Sequence, residues 1–540
     1  MLNREARSTS DDDDALSGAS SSLAPCGRLA FVDYYITTPI YYVNGEPHLG
    51  HAYTTIAADI LARYHRQKGD DVFFLTGVDE HGNKVAQAAA ERGLTPRQHV
   101  DQLAPKFRHL AEQLNATNDF FIRTTDPEHE AFVQRFVERM KAAGDIEKRT
   151  YGGLYCTACE GFWYERDLAP DGTCPDHGIK PVWLEEENYY FLLSKYQDRL
   201  AELFRANPGF VKPRSRYNEA LSFIEQGLED ISISRSSITW GVPVPWDPEQ
   251  VIYVWVDALI NYLSALTYAR PGEDLVGHYW PAVHHLLAKD ILKFHAVIWP
   301  ALLLSAGHSL PTGEFIHGYL LMGGEKMSKT RGNVLDPFAV MDQYGIDPLR
   351  FYLMREVTLG QDGVISLEGF EGRYNSELAN ELGNLVSRSV SMIGKYREGR
   401  IPAAPADEVL RDVAAEGEAM VRAAGAHYDA VAVTAAVETV WEYVRRLNRL
   451  VEEEAPWKLA KDEAQAARLD MVLHGLAAGL RLVALAIYPV IPGTAEEILR
   501  RLGQAHGAAD LLLEKATWTG LRPAAVVVGA PLFPRIEAGA

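Results

Sequence analysis

Four short groups of residues have the types and spacing to do chemistry, and two of them point at phosphate. His48, Leu49, Gly50 and His51 set two imidazoles three residues apart. On the first turn of a helix those rings project to one side, where free backbone N–H groups and the helix dipole favour phosphate. Gly50 would let a nucleotide base lie against the backbone. Lys326, Met327, Ser328, Lys329 and Thr330 follow Gly323 and Gly324. Lysines on such a loop can swing onto a triphosphate and neutralise charge as it builds on departing pyrophosphate. Each group alone has a plain reading, a capping pair of surface histidines or a solvated basic loop. Together they predict an ATP site, because the first βα turn and the chain after the last strand both reach the carboxyl edge of a parallel sheet.

The other two groups are Cys156-x-x-Cys159 and Cys174-x-x-His177, separated by fourteen residues. Each offers two ligands from one tight turn, so the four can close a tetrahedral Cys3His site for Zn2+, structural because no position stays open. A redox CxxC pair would sit at a helix start near a βαβ unit, whereas this one lies in a Gly/Pro-rich stretch with a matching second half. Cys26 stands apart in the amino-terminal tail without an assigned role.

The elements that must position these groups read as follows. Residues from Val32 run through a β-rich segment and an NGEP turn into HLGHAYTTIAADILARYHRQKG, where Ile56, Ile60, Leu61 and Tyr64 recur at helical spacing and Gly69 is a stop. DVFFLTGVDEHG reads as the next buried strand, followed by a helix from about Asn83 to Arg92. Strand, helix, strand with apolar runs implies an α/β, Rossmann-like, doubly wound parallel sheet. That sheet is expected over 31–145 and 249–320, with a zinc-bearing connective insertion at 146–248 and a KMSKT and stem-contact region at 321–384. The α/β pattern resumes after the insertion with VIYVWVDALINYLSAL and HHLLAKDILKFHAVIWPALLL. An all-α bundle is expected over 385–525, where Val437, Val440, Trp441, Val444, Leu447 and Val451 form one stripe. Residues 1–30 read as a disordered tail and 526–540 as a carboxy-terminal arm.

Composition sets the outer limits. With 540 residues, 47% hydrophobic and 23% charged, the chain can bury several cores. The greasiest segment, Leu480 to Ile491, is cut by Arg481 and Pro489, so no membrane association is expected. Four cysteines, three of them beside a histidine, suit a reducing cytoplasm. A net charge of −20 excludes indiscriminate coating of nucleic acid but permits docking through a local basic face.

The HLGH and KMSKT pair resembles the signature motifs of class I aminoacyl-tRNA synthetases. TTPIYYVNGEPHLGHAYTT, FLTGVDEHG, YCTAC with CPDHG, YVWVDALINY, AKDILKFHAVIWP, LGNLVSR and APWKLAK narrow the resemblance to the methionyl-tRNA synthetase family, from about Phe31 to Trp518. It implies activation of L-methionine with Mg2+ and ATP, then transfer to tRNA(Met). It implies a methionine pocket of Ile40, Tyr42, Asp79, Trp255, Leu259, Tyr262, Ile291, His295 and Trp299, with Lys289 and Asp290 beside ATP. The chemistry fits. Asp79 offers a carboxylate to an ammonium group, the apolar residues a slot for a thioether, and Tyr262 a weak hydrogen bond to sulfur. Taken singly, Trp255 or Trp299 reads as core. Ala288 replaces a frequent Gly and Leu259 stands where some members have Pro, small changes in pocket lining.

The resemblance also implies that Asn384, Arg388 and Trp457 read the CAU anticodon, through base-edge hydrogen bonds and stacking, near a helix carrying Arg445, Arg446 and Arg449. The family's rate enhancement is expected from positioning and charge neutralisation by His48, His51, Lys326 and Lys329. A synthetase for a branched aliphatic amino acid would carry a larger editing insertion between His51 and Lys326, and a non-catalytic tRNA-binding protein would not need both charged ATP motifs. The OB-fold dimerisation module of some members has no counterpart in VVVGAPLFPRIEAGA, so a monomer is expected.

Overall fold

The structure is a computed structural model that describes residues 32–156, 161–175, 178–322, 337–403, 410–504 and 507–537. Among these, a seven-stranded parallel sheet carries the first half of the chain. Its strands are β1 (Asp33–Thr37), β2 (Asp71–Asp79), β3 (Phe120–Arg123), β7 (Val211–Lys212), β8 (Val283–Ala288) and β9 (Gly313–His317), with Tyr41–Tyr42 paired to the end of β2. The order is β3–β2–β1–β8–β9–β7, so later strands add beside β1 and the sheet is doubly wound.

Helix α1 (Leu49–Lys68) starts at His48 and closes at Gly69 with φ 93°, as the residue pattern predicts. It is buried nearly all round, because one side packs on the sheet and the other on the carboxy-terminal helices. Tyr64 Oη donates to Gly425 O at 2.9 Å and Gln67 Nε2 to Leu485 O at 2.7 Å. Helix α2 (Asn83–Glu91) follows β2. Helices α3 (Pro127–Ala142) and α4 (Val254–Ser264) cover the opposite face of the sheet.

Between β3 and β8 the chain leaves the sheet. Strands β4 (Ile146–Cys156), β5 (Gly161–Trp163) and β6 (Val182–Phe191) form an antiparallel sheet in the order β5–β4–β6, completed by Ile231–Ser232. Two details differ from the sequence reading. The two-residue strand β7 comes from inside the stretch assigned to the insertion, yet it pairs with Glu314 and Phe315 at the edge of the parallel sheet. The apolar run before α4, Asp247–Ile252, belongs to a small antiparallel sheet, so parallel pairing resumes only at β8. Short strands of this kind carry too few residues for a periodic signal.

The second half is helical. Helices α5 (Asn384–Tyr396), α6 (Arg411–Asp429), α7 (Val433–Glu454), α8 (Ala466–Ile487) and α9 (Pro492–Arg501) form the bundle. The α7 stripe from Val437 to Val451 is fully buried at all six positions. The stretch Glu463–Ile487, which contains α8, is long and apolar enough to cross a membrane by length and composition alone, although Arg468, Asp470 and Arg481 interrupt it. It is 89% buried, so its apolar surface is spent on the bundle core.

Arg350 joins the halves. Fully buried, it donates to Val490 O (2.8 Å), Pro489 O (2.9 Å) and Leu114 O (3.0 Å) and pairs with Asp59 of α1 at 2.7 Å. Burial alone would raise the Asp59 pKa, but Arg350 and Arg63 outweigh it and hold the carboxylate ionised below its usual range.

Candidate active site at the carboxyl edge of the sheet

All strands of the sheet run parallel, so the ends of β1, β8 and β9 open on one edge. His48 caps α1 there. Its Nδ1 accepts from Gly50 N–H at 3.1 Å, while its own N–H donates to His51 Nδ1 at 3.1 Å. The rings stack with centroids 3.7 Å apart. Burial lowers the His48 pKa, and burial together with His48 takes His51 down to about 3. Both imidazoles are therefore neutral near pH 7. With each Nδ1 occupied as an acceptor, the proton sits on Nε2. Each ring thus presents an Nε2–H donor at the sheet edge. Gly50 also bears on the cap. A Cβ there would stand 3.0 Å from His48 Cε1, so the glycine makes room for the capping ring.

The last strand reaches the same place. Thr54, one turn into α1, bonds through Oγ1 to His317 Nε2 at 2.9 Å, and His317 Nδ1 donates to Gly318 O at 2.8 Å. At the end of β8, Lys289 Nζ lies 2.6 Å from Asp362 Oδ2 and 4.3 Å from the centroid of the Tyr319 ring. Asp290 beside it is exposed. The chain continues through Leu320–Met322, and the KMSKT residues Lys326, Met327, Ser328 and Lys329 lie outside the described residues.

On the other side of β1 the residues expected to hold an amino acid gather around α4. Asp79 ends β2 at 7% exposure. Tyr262 Oη bonds to His295 Nε2 at 2.8 Å, and His295 Nδ1 lies 3.0 Å from Ile291 O. A carbonyl only accepts, so Nδ1 carries the hydrogen, Nε2 accepts, and Tyr262 donates. Burial holds His295 neutral, at about 4. The Tyr262 proton is thus already engaged, and an O–H···S bond to a thioether requires that contact to open. His295 sits in a π-helical turn, Phe294–Ile298, which turns the ring inward. Leu259 is buried, and Ile40, Tyr42 and Ile291 are half-buried. Trp255 is half-buried and stacks on Phe294 at 4.0 Å. Trp299 is fully enclosed, edge-on to Trp280.

In the antiparallel sheet, Cys156 ends β4 opposite Gly161 and is fully buried, as is Cys174. Backbone bonds Cys174 N–H to Ile179 O and Gly178 N–H to Cys174 O, both 2.8 Å, close a tight turn from Cys174. Buried thiols, one at a strand end and one at the start of a tight turn, are donors of the kind a soft tetrahedral metal takes. Cys159 and His177 lie outside the described residues.

At the far end of the bundle, Asn384 and Arg388 are exposed one turn apart on α5. The Arg388 guanidinium lies 5.7 Å from the centroid of the Trp457 ring, which is 39% exposed. The neighbouring basic residues are less available than their sequence suggests. Arg445 pairs with Glu438 at 2.6 Å and Arg446 with Glu416 at 2.9 Å, leaving Arg449 exposed. Sequence reasoning passed over Thr54, His317 and Asp362 at the nucleotide edge; the HG of the EFIHGYL block after β9 was the available signal.

The family described as tRNA synthetases class I (M) matches residues 34–180 and 170–390. A methionine–tRNA ligase of Thermotoga maritima is 46% identical over 510 residues, covering 94% of this chain and 80% of its own length. That of Caldanaerobacter subterraneus is 44% identical, covering 93% and 79%. The structure of Mycobacterium tuberculosis methionyl-tRNA synthetase in complex with methionyl-adenylate superposes with a TM-score of 0.88 at 42% identity, over 94% of this chain and all of that one.

Proposed function

The chain belongs to the class I methionyl-tRNA synthetase family, and on that footing we propose how its residues divide the work of a methionine–tRNA ligase. In the first step an oxygen of the methionine carboxylate attacks the α-phosphorus of ATP, forming methionyl-adenylate and releasing pyrophosphate. In the second the 3′-terminal hydroxyl of tRNA(Met) attacks the adenylate carbonyl and AMP leaves. No covalent enzyme intermediate is needed, so placement and charge stabilisation carry the rate. The observation that carries the reading is the gathering of the capped α1 terminus, His317 and Lys289 at one sheet edge, with the buried Tyr262–His295 pair on the neighbouring elements.

Asp79 takes the methionine ammonium, and Ile40, Tyr42, Trp255, Leu259, Tyr262, Ile291, His295 and Trp299 shape the slot for its side chain. His48 and His51 donate Nε2–H bonds to phosphate oxygens. Lys326 and Lys329 neutralise the charge that gathers on pyrophosphate, with Gly50, Lys289, Asp290, Met327 and Ser328 along the nucleotide, which enters as its magnesium complex. Zinc held by Cys156, Cys159, Cys174 and His177 would cross-link the tip of the insertion and stabilise it there. Asn384, Arg388 and Trp457 read the anticodon. The test is ATP–pyrophosphate exchange across the twenty amino acids. Exchange stimulated by methionine alone is expected, and equal stimulation by leucine or valine would overturn the pocket.

A further inference from the structure

The turn that carries Asp79 is pinned by buried charges that the proposed reaction does not use. On one side Glu80, fully buried, accepts from Arg123 Nε at 2.8 Å and from Thr125 Oγ1. On the other side runs an unbroken buried chain. His81 Nδ1 lies 2.7 Å from Asp257 Oδ2, Asp257 Oδ1 lies 2.8 Å from His129 Nε2, and His129 Nδ1 lies 2.7 Å from Ser264 Oγ. Asp257, His129 and Ser264 are fully buried and His81 is 2% exposed. Asp257 and Ser264 stand on α4, the helix that also bears Trp255, Leu259 and Tyr262. His129 and Glu130 stand on α3, and the Glu130 carboxylate is 3.7 Å from His81 Nε2.

We propose that His81 is a positioning residue for methionine: as a buried imidazolium bound to Asp257, it locks the Asp79 turn to α4 and so fixes the distance between the ammonium-binding carboxylate and the side-chain slot. This rests on the reading that Asp79 binds the ammonium group. The charge state follows from the surroundings. His81 faces carboxylates from every packed element, Asp257 on α4, Glu130 on α3 and Asp79 on its own turn, while Glu80 is turned to Arg123 and Thr125. The edge of Trp240, 5.3 Å away between centroids, closes the remaining side. Burial alone would lower the His81 pKa, but Asp257 outweighs it and lifts the ring to about 10. Against its own burial, Asp257 is held at about 2 by His81 and His129. Such a clamp fixes the span from ammonium to side chain, which is what separates methionine from shorter or branched amino acids.

The experiment is ATP–pyrophosphate exchange by the full-length wild type, Asp257→Asn and Asp79→Asn between pH 6 and 8. In the wild type the methionine KM is expected to show no titration from His81. Asp257→Asn keeps the shape but removes the counter-charge, so the methionine KM should rise about tenfold and acquire a pH dependence near neutrality, with the ATP KM unchanged. Equal rises in both KM values, or a raised but flat methionine profile, would mean a purely structural network and overturn the proposal. If Asp79→Asn leaves the methionine KM unchanged, the reading of Asp79 falls and this inference with it. If Asp79→Asn raises it and Asp257→Asn does not, only the inference falls. Should Asp257→Asn not fold, 15N NMR of histidine-labelled wild type decides, with the His81 signal assigned by its loss in His81→Gln. A ring protonated on both nitrogens at pH 8 is expected, and a neutral ring at pH 7 would contradict the proposal.

Discussion

The sheet edge and the bundle face around Trp457 hold their polar groups in opposite ways. At the sheet edge the polar groups are already bonded to one another: the exposed His48 to Gly50 and the half-buried His51, and in buried pairs Tyr262 to His295 and Thr54 to His317. At the bundle, Asn384 and Arg388 are exposed and Trp457 offers an uncovered ring face. The difference suits the work proposed for each. Chemistry on a triphosphate and selection of a small thioether need preorganised groups in a dry setting. Reading an unpaired base needs open donors and a flat ring on a rigid frame.

Five changes would break or sharpen that contrast. Lys326→Ala should cut adenylate formation about 100- to 1000-fold with little change in methionine affinity, measured by single-turnover kinetics; equal losses in both would deny the lysine a role confined to the transition state. Arg350→Met severs the tie between the two regions and should cost about 3 kcal/mol in denaturant unfolding, since Asp59 keeps only Arg63 as a charged partner. Trp457→Ala should lower kcat/KM for tRNA by ten- to about a hundredfold while pyrophosphate exchange stays at wild-type rate. Tyr262→Phe leaves His295 Nε2 without its donor and should raise the methionine KM about fivefold, with tRNA charging slowed only in proportion. Stability should also respond to pH. His81 is raised above its unfolded value of about 6.5, so its contribution is full below that pH and lost as pH climbs toward about 10. Melting temperature should fall across that window, and Asp257→Asn should flatten the slope.

The residues that revealed most in the sequence are those whose local geometry is self-contained. His48 through Gly69 declared a helix, its start and its stop, and the structure places each there. The α7 stripe announced the bundle by its spacing alone. What stayed hidden depends on partners distant in the chain. Arg350 carries no local signal in the sequence, yet it is fully buried because two carbonyls of the bundle, one after the helix Pro96–Gln113 and Asp59 of α1 converge on it. Val211 and Lys212 read as part of an insertion because strand pairing with residues a hundred positions away leaves no periodic trace. The sequence offered the two histidines of HLGH as a capping pair at a helix start, but not as neutral groups, since their protonation follows from burial and from bonds to the backbone.

The central claim is that the α1 terminus and the lysine loop meet on one nucleotide at the sheet edge. The most direct measurement is a crystal structure of the protein with methionine and a non-hydrolysable ATP analogue. It should place His51 Nε2 and Lys326 Nζ each within about 3 Å of oxygens of the same triphosphate. A nucleotide bound with the lysine turned to a separate surface would contradict it.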